Sequence, residues 1–341
     1  MGNRTIRRLL AVFAGMVVVT GSIFFLRSGV DTAPDYPMSA TGNEIIIEIP
    51  TGATGFEIAR LLFDKGIVKS SAAFFQVAVV DKRSEQIAPG AHRLQQKIPA
   101  KEALDQLLDS ARIPNLLKVA EGAWTDEIFT QLIAQGFTKV ELAKALPKLT
   151  LPLGFSGIEG IFFPAQYSFA RGATALIALQ AMVDRFSVEA EDSGLSAGSG
   201  KLPPMQLLTI ASLIQAEGDQ VDFAKISQVI RNRLKIGMPL QLDATVQYVQ
   251  RKRGQVFVSS QSMKIPSPYN TYLHYGLPPG PIGNPGRAAM DAALHPEIGN
   301  WLYFITVKPG DTRFTEAYSE FLRWKSEYQT NLRAGAFGAK P

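Results

Sequence analysis

Ile47–Ile67 reads IEIPTGATGFEIARLLFDKGI, and Leu117–Phe137 reads LKVAEGAWTDEIFTQLIAQGF. The two stretches align at a constant offset of 70 residues, with Gly52/Gly122, Ala53/Ala123, Glu57/Glu127, Ile58/Ile128, Leu62/Leu132 and Gly66/Gly136 as identical pairs. Each begins with short apolar/polar alternation, passes a glycine turn and continues as an amphipathic helix closed by glycine. A weaker pair follows: Pro89–Asp109 and Pro164–Asp184 each read as strand, turn and helix. Two copies fall short of an array. The pattern therefore predicts an α+β chain of two related units. The first is expected over residues 44–113; the second opens a larger domain over 114–330, followed by a tail at 331–341.

The repeat leaves two uses open, pure scaffold or a small strand–helix–helix–strand module that binds glycan chains. Trp124 suits a core position or a sugar platform, and the first copy offers no aromatic platform in its sequence.

Composition narrows the chemistry. The chain has 341 residues and no cysteine. Disulfides, thiolate zinc sites, iron–sulfur clusters, a cysteine nucleophile and a lipidated cysteine are thereby excluded. Three histidines, His92, His274 and His295, argue against a multi-histidine metal centre, and no cofactor is expected. The formal charge of +5 is too small to argue for nucleic acid and is compatible with an anionic surface or polymer.

Upstream of the repeat, Leu9–Leu26 reads LLAVFAGMVVVTGSIFFL without a charge. As a helix it would cover about 27 Å, close to the hydrocarbon thickness of a bilayer. Arg4, Arg7 and Arg8 precede it, and Asp31 and Asp35 lie beyond it. The charge asymmetry predicts a single-pass anchor at 9–26, with residues 1–8 in the cytoplasm and the rest of the chain outside the cell membrane. The apolar stretch is longer than a usual signal-peptide core, and no A-x-A site follows closely. Residues 27–43, rich in Pro, Gly, Ser and Asp, are expected to form a flexible linker. Outside the membrane, nucleotide-dependent chemistry is improbable and a cell-envelope polymer is the natural substrate class.

The carboxylate placed for chemistry is Glu217. A Gly/Ser-rich loop, Ser193–Gly200, leads to Pro203-Pro204, which suits a first helical turn. The following MQLLTIASLIQAEG predicts a helix apolar on nearly every face, hence buried. Glu217 falls on its last turn, with Gly218 as the expected C-terminal cap. The negative end of the helix dipole and apolar neighbours both disfavour ionisation, as a general acid near neutral pH requires. A second helix follows, with Asp222 as candidate N-cap, Phe223, Ile226, Val229, Ile230 and Leu234 as its apolar stripe, and Gly237 as its end. Arg231, Arg233 and Lys235 fit the helix dipole or an anionic substrate equally well. In Leu240–Tyr248, LQLDATVQY, polar residues alternate in part with apolar ones. Pro268–Gly286, PYNTYLHYGLPPGPIGNPG, predicts an ordered loop whose Tyr269, Asn270, Thr271 and Tyr272 suit a sugar site.

The run ASLIQAE at 211–217, VIRNRL at 229–234, QLDATVQY at 241–248, YNTY at 269–272, GLPPGPIGNPG at 276–286 and WLYF at 301–304 resembles the YceG-like family of endolytic murein transglycosylases (MltG type). EGIFFP at 159–164 resembles the family's E-G-x-x-F-P segment. The resemblance spans Glu44 to the mid-320s. It implies a LysM-like first module, a mixed α/β catalytic domain, single-pass anchoring in the cell membrane, peptidoglycan glycan strands as substrate and peptidoglycan synthases as partners. The family's catalytic glutamate falls on Glu217. A second acidic residue, two positions earlier in many relatives, is Gln215 here. Asn232, Gln241, Asp243, Thr245 and Asn270 match motif positions expected to shape the glycan cleft; Glu159, Tyr167 and Tyr269 join them as candidate substrate contacts. The chain departs from the family at Ala165-Gln166 (usually Asp-Thr) and at Thr312 (often His).

The implied reaction uses Glu217 as acid and then base, cleaving between N-acetylmuramic acid and N-acetylglucosamine to leave a 1,6-anhydro end. Two alternatives remain from sequence. One is a glycoside hydrolase with a second carboxylate, Asp219, Asp222 or Asp243. The other is a non-catalytic cell-wall-binding protein. A carboxyl partner about 5–10 Å from Glu217 would favour hydrolysis.

Overall fold

A computed structural model describes residues 33–38, 42–50, 52–114, 116–169, 172–253 and 259–337. The expected anchor at 9–26 and the cytoplasmic residues 1–8 lie outside these. Among the described residues no helix is long and apolar enough to cross a membrane. The chain divides into two compact units, Met1–Pro114 with Ser168–Arg171, and Asn115–Tyr167 with Gly172–Pro341.

The first unit runs β1 (Glu44–Ile49), α1 (Gly55–Asp64), α2 (Ser71–Val80), β2 (Gly90–Gln95) and α3 (Ala100–Leu108). β1 and β2 pair antiparallel from Glu44↔Gln95 to Ile49↔Gly90. Alternation sends Ile47, Ile49 and Leu94 inward, onto Ile58, Leu62, Phe74, Leu104 and Leu107 of the helices. Two residues of the expected linker are hydrogen-bonded to the first unit. Ser70 donates through its hydroxyl to the Pro34 carbonyl at 2.8 Å, and both Asp35 carboxylate oxygens accept from the Ala100 N–H at 3.1 Å. Pro99 precedes α3 with no side-chain cap, so Asp35 supplies the missing N-terminal acceptor.

The second unit opens with the same order: β3 (Leu117–Lys118), α4 (Thr125–Ala134), α5 (Lys139–Ala145), β4 (Gln166–Tyr167) and α6 (Ala175–Ser193). β3 pairs antiparallel with β4, as β1 does with β2. The identical pairs now have physical reasons. Glu57 accepts from the Thr54 N–H and Glu127 from the Trp124 N–H, each at 2.7 Å, closing the start of its helix. Leu62 and Leu132 are fully buried, and Gly52, Gly122, Gly66 and Gly136 all have positive φ.

The rest of the second unit is α7 (Pro204–Glu217), α8 (Phe223–Lys235), α9 (Asp243–Gln250), α10 (Arg287–Leu294), the hairpin β5–β6 (Tyr303–Lys308, Asp311–Thr315) and α11 (Tyr318–Arg333), which runs past the expected boundary at 330. Every residue of α7 from Leu207 to Ile214 is buried, as its all-round apolar sequence predicts. The Pro/Gly loop is tied to α7 twice: Ile282 N–H donates to Ser212 Oγ and Gly286 N–H to Gln215 Oε1, each at 3.0 Å.

The structure adds local detail at three places. Gly218 is the C-cap of α7, as expected, in an extended conformation (φ −166°), and a Cβ there would lie 2.4 Å from Ile226 Cδ1. Asp222 precedes α8 from a short 3-10 turn and makes no side-chain cap. The partial alternation at 240–248 is helical from Asp243 onward, with Leu242, Thr245 and Val246 buried at i, i+3, i+4 spacing.

Candidate active site

Glu217 is the last residue of α7, but its carboxylate meets the opposite kind of helix end from the one its position suggests. Oε1 accepts from the Ala244 N–H, in the first turn of α9, at 3.2 Å. There an unpaired backbone N–H and the positive end of the dipole favour the anion. Burial nevertheless dominates and pushes the carboxyl up to about 7. The Ala244 bond and the Arg233 cation pull it down, while the Asp243 charge adds to the rise. The residue as a whole is half-buried.

Of the aspartates considered from sequence, Asp243 is the one whose charge acts on Glu217. Its Oδ1 accepts from the Tyr272 hydroxyl. Burial, reinforced by that bond, holds the Tyr272 phenol far above its ordinary range, so it stays a donor. The backbone here is strained: Gln241, exposed on the approach to α9, has φ +49°. Its N–H donates to the Thr271 carbonyl at 3.1 Å, and Leu242 N–H donates to Thr271 Oγ at 2.9 Å. Buried Thr245 completes the tie: its hydroxyl donates to the Leu242 carbonyl at 2.7 Å and lies 3.0 Å from the Thr271 hydroxyl. The YNTY stretch thus fixes the start of α9, and with it the donor to Glu217.

Arg233 is the buried cation of this site. Its guanidinium donates to the carbonyls of Leu302 and Leu240 and lies over the Tyr303 ring at 5.4 Å. Arg231 likewise donates to the Ala293 carbonyl. These two arginines staple backbone, which neither sequence reading anticipated.

One turn along the same face of α9, Tyr248 donates to Glu159 Oε2 at 3.1 Å. Glu159 Oε1 accepts from the Thr125 N–H at 3.0 Å, the Thr125 hydroxyl at 3.1 Å and Asn284 Nδ2 at 3.4 Å. Burial raises Glu159 above the usual carboxylate range despite these donors. Tyr269 packs on Tyr248 with centroids 5.2 Å apart. Trp124 is core: it is 6% exposed, and the Arg253 guanidinium covers its ring at 3.9 Å. Asn284 had no role assigned from sequence. It is fully buried, donates to the Ala123 carbonyl through N–H and side chain, and accepts from Phe162 and Gly122.

The remaining candidates have their polar atoms committed to the fold. Asn232 donates to the Gly299 and Trp301 carbonyls, each at 2.9 Å. Asn270 donates to Met263 and Ile265 carbonyls, also at 2.9 Å. Tyr167 donates to the Phe163 carbonyl at 2.6 Å. The structure thus groups Glu217 with Asp243, and Glu159 with Tyr269. Among the described residues no three His, Cys, Asp or Glu side chains converge as a metal site would require.

Comparison with known proteins adds to this geometry. The profile of the YceG-like family matches residues 47–327. The chain belongs to the YceG-like family. An endolytic murein transglycosylase of Bacillus subtilis is 32% identical over 304 residues, covering 83% of this chain and 84% of that protein. An endolytic murein transglycosylase of Streptococcus pneumoniae is 30% identical over 311 residues, 79% of this chain but 55% of its own length. The crystal structure of a yceG-like protein from Listeria monocytogenes superimposes with a TM-score of 0.55 at 26% identity, covering 82% of this chain and 98% of that one. Where the sequence departs from the usual YceG-like residues, the positions serve strand pairing. The Ala165 carbonyl accepts from Val119 N–H, Gln166 sits in β4, and the Thr312 hydroxyl meets that of Thr306 across β5–β6 at 2.9 Å.

Proposed function

We propose that this YceG-like chain is an endolytic peptidoglycan lytic transglycosylase that cuts the N-acetylmuramic acid–N-acetylglucosamine bond with Glu217 as its acid–base group. The observation that carries this reading is a carboxylate at the end of a buried apolar helix, hydrogen-bonded to the Ala244 N–H at the start of α9 and raised by burial to about 7. Such a group is protonated often enough to donate and ionised easily enough to accept afterwards.

Protonated Glu217 gives its proton to the bridging oxygen as the bond from that oxygen to C1 of the muramic acid breaks. Positive charge develops on the sugar ring. The Asp243 carboxylate, hydrogen-bonded by Tyr272, favours protonated Glu217 through its charge. The muramoyl 6-hydroxyl oxygen then bonds to C1, and its proton passes to ionised Glu217. The acid is regenerated, no water is consumed and a 1,6-anhydro end remains. No cofactor enters these steps.

In this reading Leu9–Leu26 anchors the protein in the cell membrane, N-terminus inside, and holds the catalytic unit against strands as they are made by peptidoglycan synthases. The β–α–α–β order of the first unit supports a LysM-like role in holding glycan. Because Asp243 is a second carboxylate whose charge reaches Glu217, hydrolysis is the competing reading. Mass spectrometry of digested, purified peptidoglycan separates them. Internal cleavage with 1,6-anhydro ends supports the transglycosylase; reducing ends that take up 18O from labelled water overturn it.

A further inference from the structure

The first unit carries an apolar surface that its core does not need. Phe56 and Phe63 on α1, and Phe75, Val79 and Val80 on α2, are between 41% and 84% exposed. Phe56 and Phe75 meet edge to face, with centroids 6.4 Å apart, which joins the outer faces of the two helices. On α1, Phe56 and Phe63 are seven positions apart, and on α2 Phe75 and Val79 are four apart, so each pair shares a face. The inward side is already complete: Ile58, Leu62 and Phe74 fill the core. α2 has no charged residue in its ten positions. An outward stripe of this kind marks a contact surface.

The arm before β1 says what the surface faces. The chain reaches this unit at Pro34 and Asp35, bonded to Ser70 and Ala100. Ser70 is the N-cap of α2 and lies in the turn that follows Phe63. Pro34 is eight residues beyond Leu26, the last residue of the apolar stretch. Fully extended, eight residues reach about 28 Å. A stretch spanning the bilayer would therefore keep this corner of the unit within about 28 Å of the hydrocarbon edge, close enough for direct contact with the surface. Exposed Lys65, Lys69 and Lys82 lie next to the apolar stripe in sequence, with exposed Glu57 and Asp64 on α1, and the three lysines suit an anionic lipid surface.

We infer that the outer face of α1 and α2 rests on the lipid bilayer, with Phe56, Phe63, Phe75, Val79 and Val80 entering the interfacial layer beside the anchor. Aromatic and aliphatic side chains flanked by lysines are the chemistry of an interfacial contact. The contact orients the unit and restricts the heights above the membrane available to the chain that follows. It rests on the anchoring reading of Leu9–Leu26, not on the chemistry of Glu217.

The absence of cysteine makes a direct test possible. The full chain is reconstituted into vesicles of phosphatidylcholine and phosphatidylglycerol with a single environment-sensitive label, at Val79→Cys, at Val17→Cys or at Leu153→Cys. Leu153 is 96% exposed, in the other unit. The expected result is blue-shifted emission quenched by brominated acyl chains at positions 79 and 17, with neither effect at 153. Quenching at 17 without quenching at 79 overturns the surface contact and leaves the anchor intact. No quenching at 17 removes the anchor, and the inference with it. A label at 79 that responds only to added murein strands, or only to protein density in the vesicles, overturns the lipid contact in favour of glycan or of a second copy.

Discussion

Glu217 closes α7, yet its carboxylate is bonded to Ala244 in the first turn of α9, 3.2 Å away. Two helix ends of opposite sign thus bear on one acid: the carbonyl end of its own helix disfavours the anion, and the N–H end of its neighbour favours it. With the dipoles opposed, burial decides, and the carboxyl settles at about 7.

The first expectation concerns the acid itself. Glu217→Gln keeps the size and can still face Ala244, but cannot donate and recover a proton. Loss of a positioned acid–base group costs about 10²–10⁴-fold in rate. Release of soluble muropeptides from purified sacculi should fall by that factor, with circular dichroism unchanged. Wild-type turnover by the variant would assign the acid elsewhere.

The same substitution has a stability consequence of opposite sign. A carboxyl whose folded value is raised from 4.5 to about 7 favours folding fully at low pH, and that contribution is lost as pH rises through 7. Above pH 7 the folded protein must hold a buried charge, at most about 3 kcal/mol at 1.36 kcal/mol per unit. Glu217→Gln should therefore melt higher than wild type at pH 8, with the advantage shrinking toward pH 5. Melting curves at the two pH values check this; a constant difference would contradict it.

Asp243 sets where the activity is lost as pH rises. Its negative charge disfavours ionised Glu217 and so raises it. In Asp243→Asn Glu217 ionises at lower pH, and the alkaline limb of kcat/KM should move to lower pH. Tyr272→Phe removes the hydrogen bond that holds Asp243 but not the charge, so its limb should move less. A general loss of fold would lower the plateau without moving the limb, which separates the two explanations.

These sites differ in how far the sequence reveals them. The repeated strand–helix units follow from spacing alone, because Glu57 and Glu127, Leu62 and Leu132, and the paired glycines each perform one local task that fixes residue type. Glu217 at the tip of α7 is legible for the same reason: an all-apolar helix has one place for a carboxylate. The partner of that carboxylate is not legible, since Ala244 offers only a backbone N–H, and any residue supplies one. Asn232, Asn270 and Tyr167 show the converse. Their types suit sugar hydroxyls, but loop carbonyls need donors just as much, and those of Gly299, Trp301, Met263, Ile265 and Phe163 take them. Gly218 caps α7 where spacing puts it, but its extended conformation and the closeness of Ile226 follow from packing that the sequence does not display.

Glu159 should behave as a structural acceptor. Its two oxygens collect donors from Thr125, Asn284 and Tyr248. In Glu159→Gln the amide oxygen can replace Oε1, and the amide nitrogen can donate to the Tyr248 hydroxyl, which accepts as readily as it donates. The stability change should stay within about 1 kcal/mol, the scale of one exchanged hydrogen bond. Glu159→Ala leaves buried donors unpaired and should cost about 2–4 kcal/mol, at 1–3 per orphaned group. Urea unfolding of both variants reads the difference; equal losses would mean that the negative charge, not the acceptor geometry, is what the site uses.

The loop that shapes the site depends on Gly283 for room. A Cβ there would lie 2.7 Å from the Gly122 carbonyl oxygen and 3.5 Å from that of Ala123. Both obstacles are backbone, so relief requires moving the chain. That chain is the one Asn284 holds, through its N–H and side chain to Ala123 and its carbonyl to the Gly122 N–H. Gly122 in turn faces Gln215, two residues before Glu217 on α7. Gly283→Ala should therefore cost about 1–3 kcal/mol, the range for an inserted methyl in a packed site. It should also lower kcat, because the displaced segment packs on Gln215 of α7, the helix that carries the acid. Gly237→Ala is the informative control. At φ +67° with open space around it, it strains only the backbone, by about 1–2 kcal/mol. A comparable loss of stability with kcat preserved is expected there, so the pair of variants separates damage to the fold from displacement of the site.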